Sequence, residues 1–268
     1  MKLFFRKYGE GQPLIILHGL YGSSDNWVTI AKKISTCFTV YIPDQRNHGN
    51  SPHSSVNDYQ SMCSDLYEFA EDLRLGSFFL TGHSMGGRTA MLFALKWPEM
   101  IKGLLVADIP PFSDSKNRRN IICEHHKILN AIKSVDLSKL SSRNEVDSVL
   151  SHFITSEKER GMIMKNLKRD ENGNFSWKLN ADALYSNLGE IVDGLKLNAD
   201  QLRPVSGFPV VFLKGENSHY ISPEDVGDIR KLFPSAEVKI VKRAGHWVHT
   251  DNPNAVAEAL FGLACQSK

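Results

Sequence analysis

Short apolar runs that alternate with helix-patterned stretches leave few folds open to this chain of 268 residues. The runs fall at 13–17, 38–42, 78–81, 103–107, 209–213 and 238–241, and most are close to continuously apolar rather than apolar at every second residue. That pattern belongs to strands covered on both faces, as in a parallel sheet. Between the runs, 25–34, 62–73, 86–96, 223–232 and 254–263 carry apolar residues at helical spacing. Strand and helix in alternation predict an α/β fold with a mostly parallel, doubly wound sheet.

The alternation breaks once, after Ala107, and resumes at Pro209. The intervening block is charged and helix-patterned, with NRRNIICEHHKILNAIKS, SRNEVDSVLSHF and SEKERGMIMKNLKR as amphipathic pieces and ENGNFSWKLN as a loop or small hairpin. It is too long for a simple crossover. The expected organisation is therefore a core of 1–112 and 205–268, with 113–204 inserted as a helical cap over the carboxyl edge of the strands. Most apolar cap residues, among them Leu129, Ile132, Leu150, Phe153 and Ile163, are expected to anchor it, while His125 and His126 are expected to be exposed.

Composition narrows the partners. With 41% hydrophobic and 23% charged residues and a net charge of +2, the chain has no basic excess that would attract nucleic acid or an anionic membrane. The apolar run near the N-terminus is too short for a signal peptide, and no window approaches the roughly 18 apolar residues of a membrane span. Cys37, Cys63, Cys123 and Cys265 lack CxxC spacing, which argues against a zinc site or a disulfide framework. A cytoplasmic protein in a reducing compartment is the expectation, and no feature of the sequence sets an oligomeric state.

Chemistry enters at Gly82-His-Ser-Met-Gly86, which follows the apolar FFLT and precedes the helical GRTAMLFAL. A G-x-S-x-G between strand and helix forms a nucleophile elbow, in which the flanking glycines make room for a serine at unfavourable backbone angles. Ser84 is thus the candidate nucleophile. It needs a base, and the loop after the last apolar run offers His246 and His249. His246 directly follows the strand and a glycine, at the same sheet edge as Ser84, and is preferred; His249 sits where a final helix begins.

A third residue must hold the imidazole in its productive tautomer. After the run 209–213 the chain reads Glu216-Asn-Ser-His-Tyr220, without an aspartate, whereas the run 103–107 ends on Asp108. A charge there is costly unless paired. Asp108 is the preferred acid and Glu216 the alternative. The two oxyanion donors are expected to be the backbone N–H groups of Met85, next after the nucleophile, and of Leu20, in the turn His18-Gly-Leu-Tyr-Gly22. His18 is expected to shape that turn rather than to carry protons.

Together HGLYGS, DQRNHGNSPH, GHSMGG, VADIPP and AGHWVH resemble the α/β-hydrolase superfamily and, within it, the YbfF-type esterases. The likeness covers 13–112 and 205–261. It implies an acid at the earlier strand, as at Asp108, and a supporting role for Asp44 and Arg46. It also implies hydrolysis of small carboxylic esters or acyl thioesters through an acyl-enzyme, without metal or organic cofactor. The scaffold hosts other chemistry. A carbon–carbon bond hydrolase or a menaquinone-precursor lyase would use the same triad on an anionic dicarbonyl substrate, with basic residues lining the pocket, and a non-catalytic binding module would lose part of the triad. A dehalogenase or epoxide hydrolase would need a carboxylate where Ser84 stands. The basic tract 116–119 is read as a solvated helix start rather than a contact for coenzyme A.

Overall fold

The structure, a computed structural model, describes residues 1–113 and 118–266. Its strands are β1 (Phe5–Tyr8), β2 (Gln12–Leu17), β3 (Phe38–Pro43), β4 (Phe78–His83), β5 (Ile101–Ala107), β6 (Leu167–Arg169), β7 (Phe175–Trp177), β8 (Val210–Gly215) and β9 (Ala236–Val241). The helices are α1 (Val28–Ile34), α2 (Tyr59–Asp72), α3 (Met85–Lys96), α4 (Arg118–Ser134), α5 (Arg143–Ser151), α6 (Glu157–Met164), α7 (Ala181–Ser186), α8 (Leu188–Val192), α9 (Asp225–Leu232), α10 (Val248–Asp251) and α11 (Pro253–Gln266).

Seven strands form one sheet in the order β1-β3-β2-β4-β5-β8-β9, parallel except for β1, which runs antiparallel to β3. Successive side chains of a strand point to opposite faces. Leu14 and Ile16 accordingly pack with α1 and α11 residues such as Ile30 and Leu260, while Ile15 and Leu17 pack on the opposite face with α2 and α3 residues such as Met62 and Met91. Both faces are covered, which is why the runs read as continuously apolar. β1 has no such run: Phe-Arg-Lys-Tyr is a short, half-exposed edge strand, and its alternation is too brief to register in the sequence. α2 starts at Tyr59, earlier than its apolar pattern, because the Asp58 carboxylate accepts the Ser61 N–H and caps the first turn.

The chain leaves β2 toward β3 on one side and returns to β4 on the other, so β2 and β4 flank the point where strand order reverses. Loops there diverge and open a crevice outside the carboxyl ends of the strands. Register aligns Leu17 with Gly82, which sets the turn after β2 beside the turn after β4.

The segment between β5 and β8 holds α4 to α8 and the β6–β7 hairpin, in which Leu167 pairs with Trp177. It has its own apolar cluster, including Leu129, Ile132, Leu150, Ile163 and Leu184, and Tyr21 from the core packs into it. Phe153, expected as an anchor, is 55% exposed, because it falls in the turn just after α5 rather than on the helix's inner face. Its two junctions with the core are tied to α3 by Arg88. That buried guanidinium spends all five N–H groups, on the carbonyls of Pro110, Phe112, Ile191 and Val192 and on Ser113 Oγ.

Candidate active site

β4 ends at His83 and α3 begins at Met85, so Ser84 makes the whole turn alone, at φ 51° and ψ −120°. A side chain at positive φ is strained, and the strain persists only where the surroundings dictate it. Here they do. A Cβ at Gly82 would stand 2.2 Å from the Gly86 carbonyl oxygen, and one at Gly86 would stand 2.5 Å from that of His18. The Ser84 N–H donates to Ala107 O at 3.1 Å. The serine is half-buried and its hydroxyl does not cap α3. The N-terminus of α3 behind it favours negative charge.

The turn after β2 is closed by the Gly22 N–H donating to Gly19 O at 2.9 Å. His18 Nδ1 also donates to Gly19 O at 2.9 Å, and its Nε2 accepts the Gln45 N–H at 2.9 Å. Both ring nitrogens are therefore committed to holding the turn against the 44–52 loop, as expected of a shaping residue. The Leu20 N–H has no acceptor among the described residues. Met85 opens α3, where N–H groups lack helical partners.

Asp108 lies at the end of β5 at φ 54° and is fully buried. Its Oδ1 accepts the Gly215 N–H at 2.9 Å, and its Oδ2 accepts Ser218 Oγ and, at 2.9 Å, His246 Nδ1. Such a carboxylate has its charge matched by donors on every side. Tyr220 lies flat on the His246 ring, with centroids 3.7 Å apart and planes at 14°. On the other side His83 Nε2 donates to the His246 carbonyl at 2.8 Å, which ties the histidine loop to the residue preceding Ser84. Among the described residues no hydrogen bond joins Ser84 Oγ to His246, a gap common before substrate binds.

The alternatives lie elsewhere. Glu216 is on the surface, accepting Lys242 Nζ and the Arg243 N–H at 2.8 Å each, and these partners lower its pKa. His249 is buried, stacked on Trp27 at 4.6 Å, and neither ring nitrogen has a hydrogen-bond partner among the described residues. Burial, reinforced by His246, takes its pKa down to about 3.

A family model of the alpha/beta hydrolase fold matches residues 12–253. The chain belongs to the α/β-hydrolase family. Among curated relatives, this hydrolase is 37% identical over 253 residues to the sn-1-specific diacylglycerol lipase ABHD11 of Mus musculus, spanning 92% of this chain and 79% of that one. It is 31% identical over 251 residues to esterase YbfF of Escherichia coli (strain K12), spanning 94% and 92%. The solved structure of a marine microorganism esterase superposes with a TM-score of 0.91 at 42% identity, over 98% of this chain and 99% of that one.

Around the hydrolase site several residues carry more than their sequence signal suggested. Ser218 and Tyr220 fall in GENSHY, the stretch that lacked an aspartate; the place where a carboxylate was sought supplies a hydroxyl to Asp108 and an aromatic face to His246. Asp44 accepts the N–H groups of Ser24 and Asn50 at 2.6 and 2.8 Å, and Arg46 grips Asp65 with two bonds of 2.7 and 2.9 Å. Both stabilise the loop behind the turn at 18–22. His125 and His126 are half-buried rather than exposed, because the inner face of α4 packs on tyrosines: His125 Nδ1 lies 3.1 Å from Tyr21 Oη, and His126 stacks on Tyr185 at 4.4 Å. Of the basic tract, Lys116 lies outside the described residues and Arg118 is ion-paired with Asp193. Among the described residues no helix is long and apolar enough to cross a membrane, and no group of three or more His, Cys, Asp or Glu side chains could hold a metal ion.

Proposed function

We propose that this hydrolase cleaves carboxylic esters, acyl thioesters included, through an acyl-enzyme on Ser84. The observation that carries the reading is the buried Asp108–His246 pair at 2.9 Å, attached through His83 to the serine turn. Ser84 Oγ attacks the acyl carbonyl carbon as His246 Nε2 takes the hydroxyl proton. The Leu20 and Met85 N–H groups receive the tetrahedral oxyanion. On collapse the ester C–O bond breaks, and the departing alcohol or thiol takes the proton from Nε2. Water then attacks the acyl-enzyme, gives a proton to His246, and Ser84 leaves with that proton. Asp108 keeps Nδ1 protonated and stabilises the imidazolium.

The names of the relatives support ester hydrolysis. Residues 113–204 act as the cap that encloses the acyl group. Burial raises the pKa of Tyr21 and of Tyr220 at the site; at Tyr220 Arg88 opposes this while Asp108, Glu124 and Glu159 add to it, and at Tyr21 Tyr220 and Glu159 add to it. Arg88 acts on Tyr220 with its donors already occupied by carbonyls and a hydroxyl, and Lys158 lies over the Trp247 ring, next to His246. Four unpaired cysteines agree with a reducing, cytoplasmic setting.

The test is a panel of nitrophenyl esters of increasing acyl length with acyl-coenzyme A thioesters beside them. Ser84→Ala should abolish turnover and labelling by a fluorophosphonate. Appreciable hydrolysis by Ser84→Ala would reject the assignment.

A further inference from the structure

The turn Gly19–Gly22 has one odd member. Its closing bond runs from the Gly22 N–H to Gly19 O, and of its two central residues Leu20 has negative φ while Tyr21 sits at φ 62°. Positive φ at the third position is the mark of a type II turn, where glycine or asparagine is usual. A buried tyrosine there carries a strain that glycine would avoid.

What Tyr21 gains is a set of contacts that glycine could not make in full. Its N–H donates to His48 Nε2 at 3.3 Å, and His48 Nδ1 in turn donates to Arg46 O at 2.8 Å, so the 44–52 loop holds one side of the peptide. Its carbonyl accepts Asn166 Nδ2 at 2.7 Å; Asn166 is 1% exposed and lies between α6 and β6. Its hydroxyl lies 3.1 Å from His125 Nδ1 on α4, and its ring joins the apolar cluster of the inserted segment. One residue of the core turn is thus gripped at three points, two of them from across the crevice. The neighbouring N–H, that of Leu20, has no acceptor among the described residues.

We propose that Tyr21 is a positioning residue through which Asn166 and His125 of the inserted segment hold the Leu20 N–H at the oxyanion, so that closure over the acyl group and completion of the oxyanion hole are one event. This rests on the Ser84 acyl-enzyme reading above. Two of the three bonds that hold Tyr21 at its strained φ, those to Asn166 and His125, exist only while the segment is docked. If the segment lifts, the Leu20–Tyr21 unit relaxes and the donor swings off its aim. A site open to solvent would then be a poor catalyst, and hydrolysis would be confined to enclosed substrates.

The experiment compares wild type, Tyr21→Phe, Asn166→Ala and Ser84→Ala in steady-state hydrolysis of a nitrophenyl ester. Inhibition by a trifluoromethyl ketone, whose hemiketal with Ser84 carries the oxyanion, and thermal melting are measured alongside. Removing an oxyanion donor outright costs about 10²–10³ in kcat, so loosening one should cost about tenfold. Asn166→Ala and Tyr21→Phe should each lower kcat by about that factor, hold KM within about twofold, and weaken the ketone in proportion to the loss in kcat. A merely structural role would move melting without this parallel. Unchanged kcat in both variants, or a rise in KM with kcat and ketone affinity intact, would overturn the coupling. Activity surviving in Ser84→Ala would instead remove the reading beneath it.

Discussion

Asp108→Asn exchanges one oxygen for an amide nitrogen in a place where both oxygens are in use. The carboxylate accepts the Gly215 N–H on Oδ1 and both Ser218 Oγ and His246 Nδ1 on Oδ2. The backbone fixes the Gly215 donor, so the single carbonyl oxygen of asparagine stays with it and the NH2 group faces His246. Two donors cannot share one bond. Nδ1 must therefore give up its hydrogen and accept, which moves the imidazole proton to Nε2 and leaves no lone pair for the Ser84 hydroxyl.

The magnitude has two bounds. Loss of the charge that stabilises an imidazolium about 4 Å away, at an effective dielectric of about 20, is roughly 4 kcal/mol, or about 10³ in rate. Loss of the tautomer as well brings it to about 10⁴. Glu216→Gln, on the surface against Lys242, should leave kcat within about twofold. The assay is kcat on a short-chain nitrophenyl ester, with near-UV circular dichroism to establish that both variants are folded and Ser84→Ala as background. Equal losses in the two variants, or an Asp108→Asn enzyme within about tenfold of wild type, would refute the reasoning.

Two further outcomes concern stability. Burial takes His48 and His249 down to about 3, against 6.5 in an unfolded chain. Between those limits the unfolded state binds protons that the folded state refuses, so stability falls as pH falls through this window, by about 2.7 kcal/mol per histidine over two pH units. Urea midpoints measured across the window should show that slope, and His249→Phe, which keeps the stacking on Trp27, should remove roughly one proton from it; an unaltered slope would contradict the neutral, buried assignment. Gly82→Ala should cost about 3 kcal/mol or more in stability, since its Cβ would stand 2.2 Å from a backbone oxygen, whereas Gly76→Ala meets nothing within 4 Å and should melt within a degree or two of wild type.

Legibility in the sequence followed from how local each signal is. β2 to β5 and β8 were readable because burial on both faces makes a strand apolar along its length, and the elbow because strand, glycines and helix are contiguous; β9, a largely exposed edge strand, was readable only from its Val and Ile residues. Asp108 could be preferred over Glu216 because a carboxylate ending an apolar strand needs a partner, while one in a polar loop does not. Ser218 and Tyr220 were not readable: their importance comes from contact with Asp108 and His246, separated from them by up to 110 residues, and nothing in GENSHY announces it. His125 failed for a related reason. Its helix is amphipathic, yet which face meets Tyr21 depends on how α4 lies across the core, information that periodicity does not contain.

The density of histidine near Ser84 follows from the electrostatics of a base that must accept a proton. His83 lies 4.7 Å from His246 by ring centroids and 4.6 Å from His249. A positive charge about 5 Å from His246 would oppose its protonation by roughly 3 kcal/mol at an effective dielectric of about 20, enough to slow proton transfer more than a hundredfold. The neighbours are kept neutral by burial: His83 is pushed well below the usual imidazole range, His249 to about 3 and His125 to about 4. Imidazoles so treated supply flat, polarisable surfaces and single hydrogen bonds, as His83 does to the His246 carbonyl, without competing for the proton. Among the histidines of the described residues, His246 alone is ion-paired with a carboxylate. Replacing a buried neighbour with a lysine or arginine would disturb catalysis through charge, whereas phenylalanine would remove a hydrogen bond at His83 and none at His249.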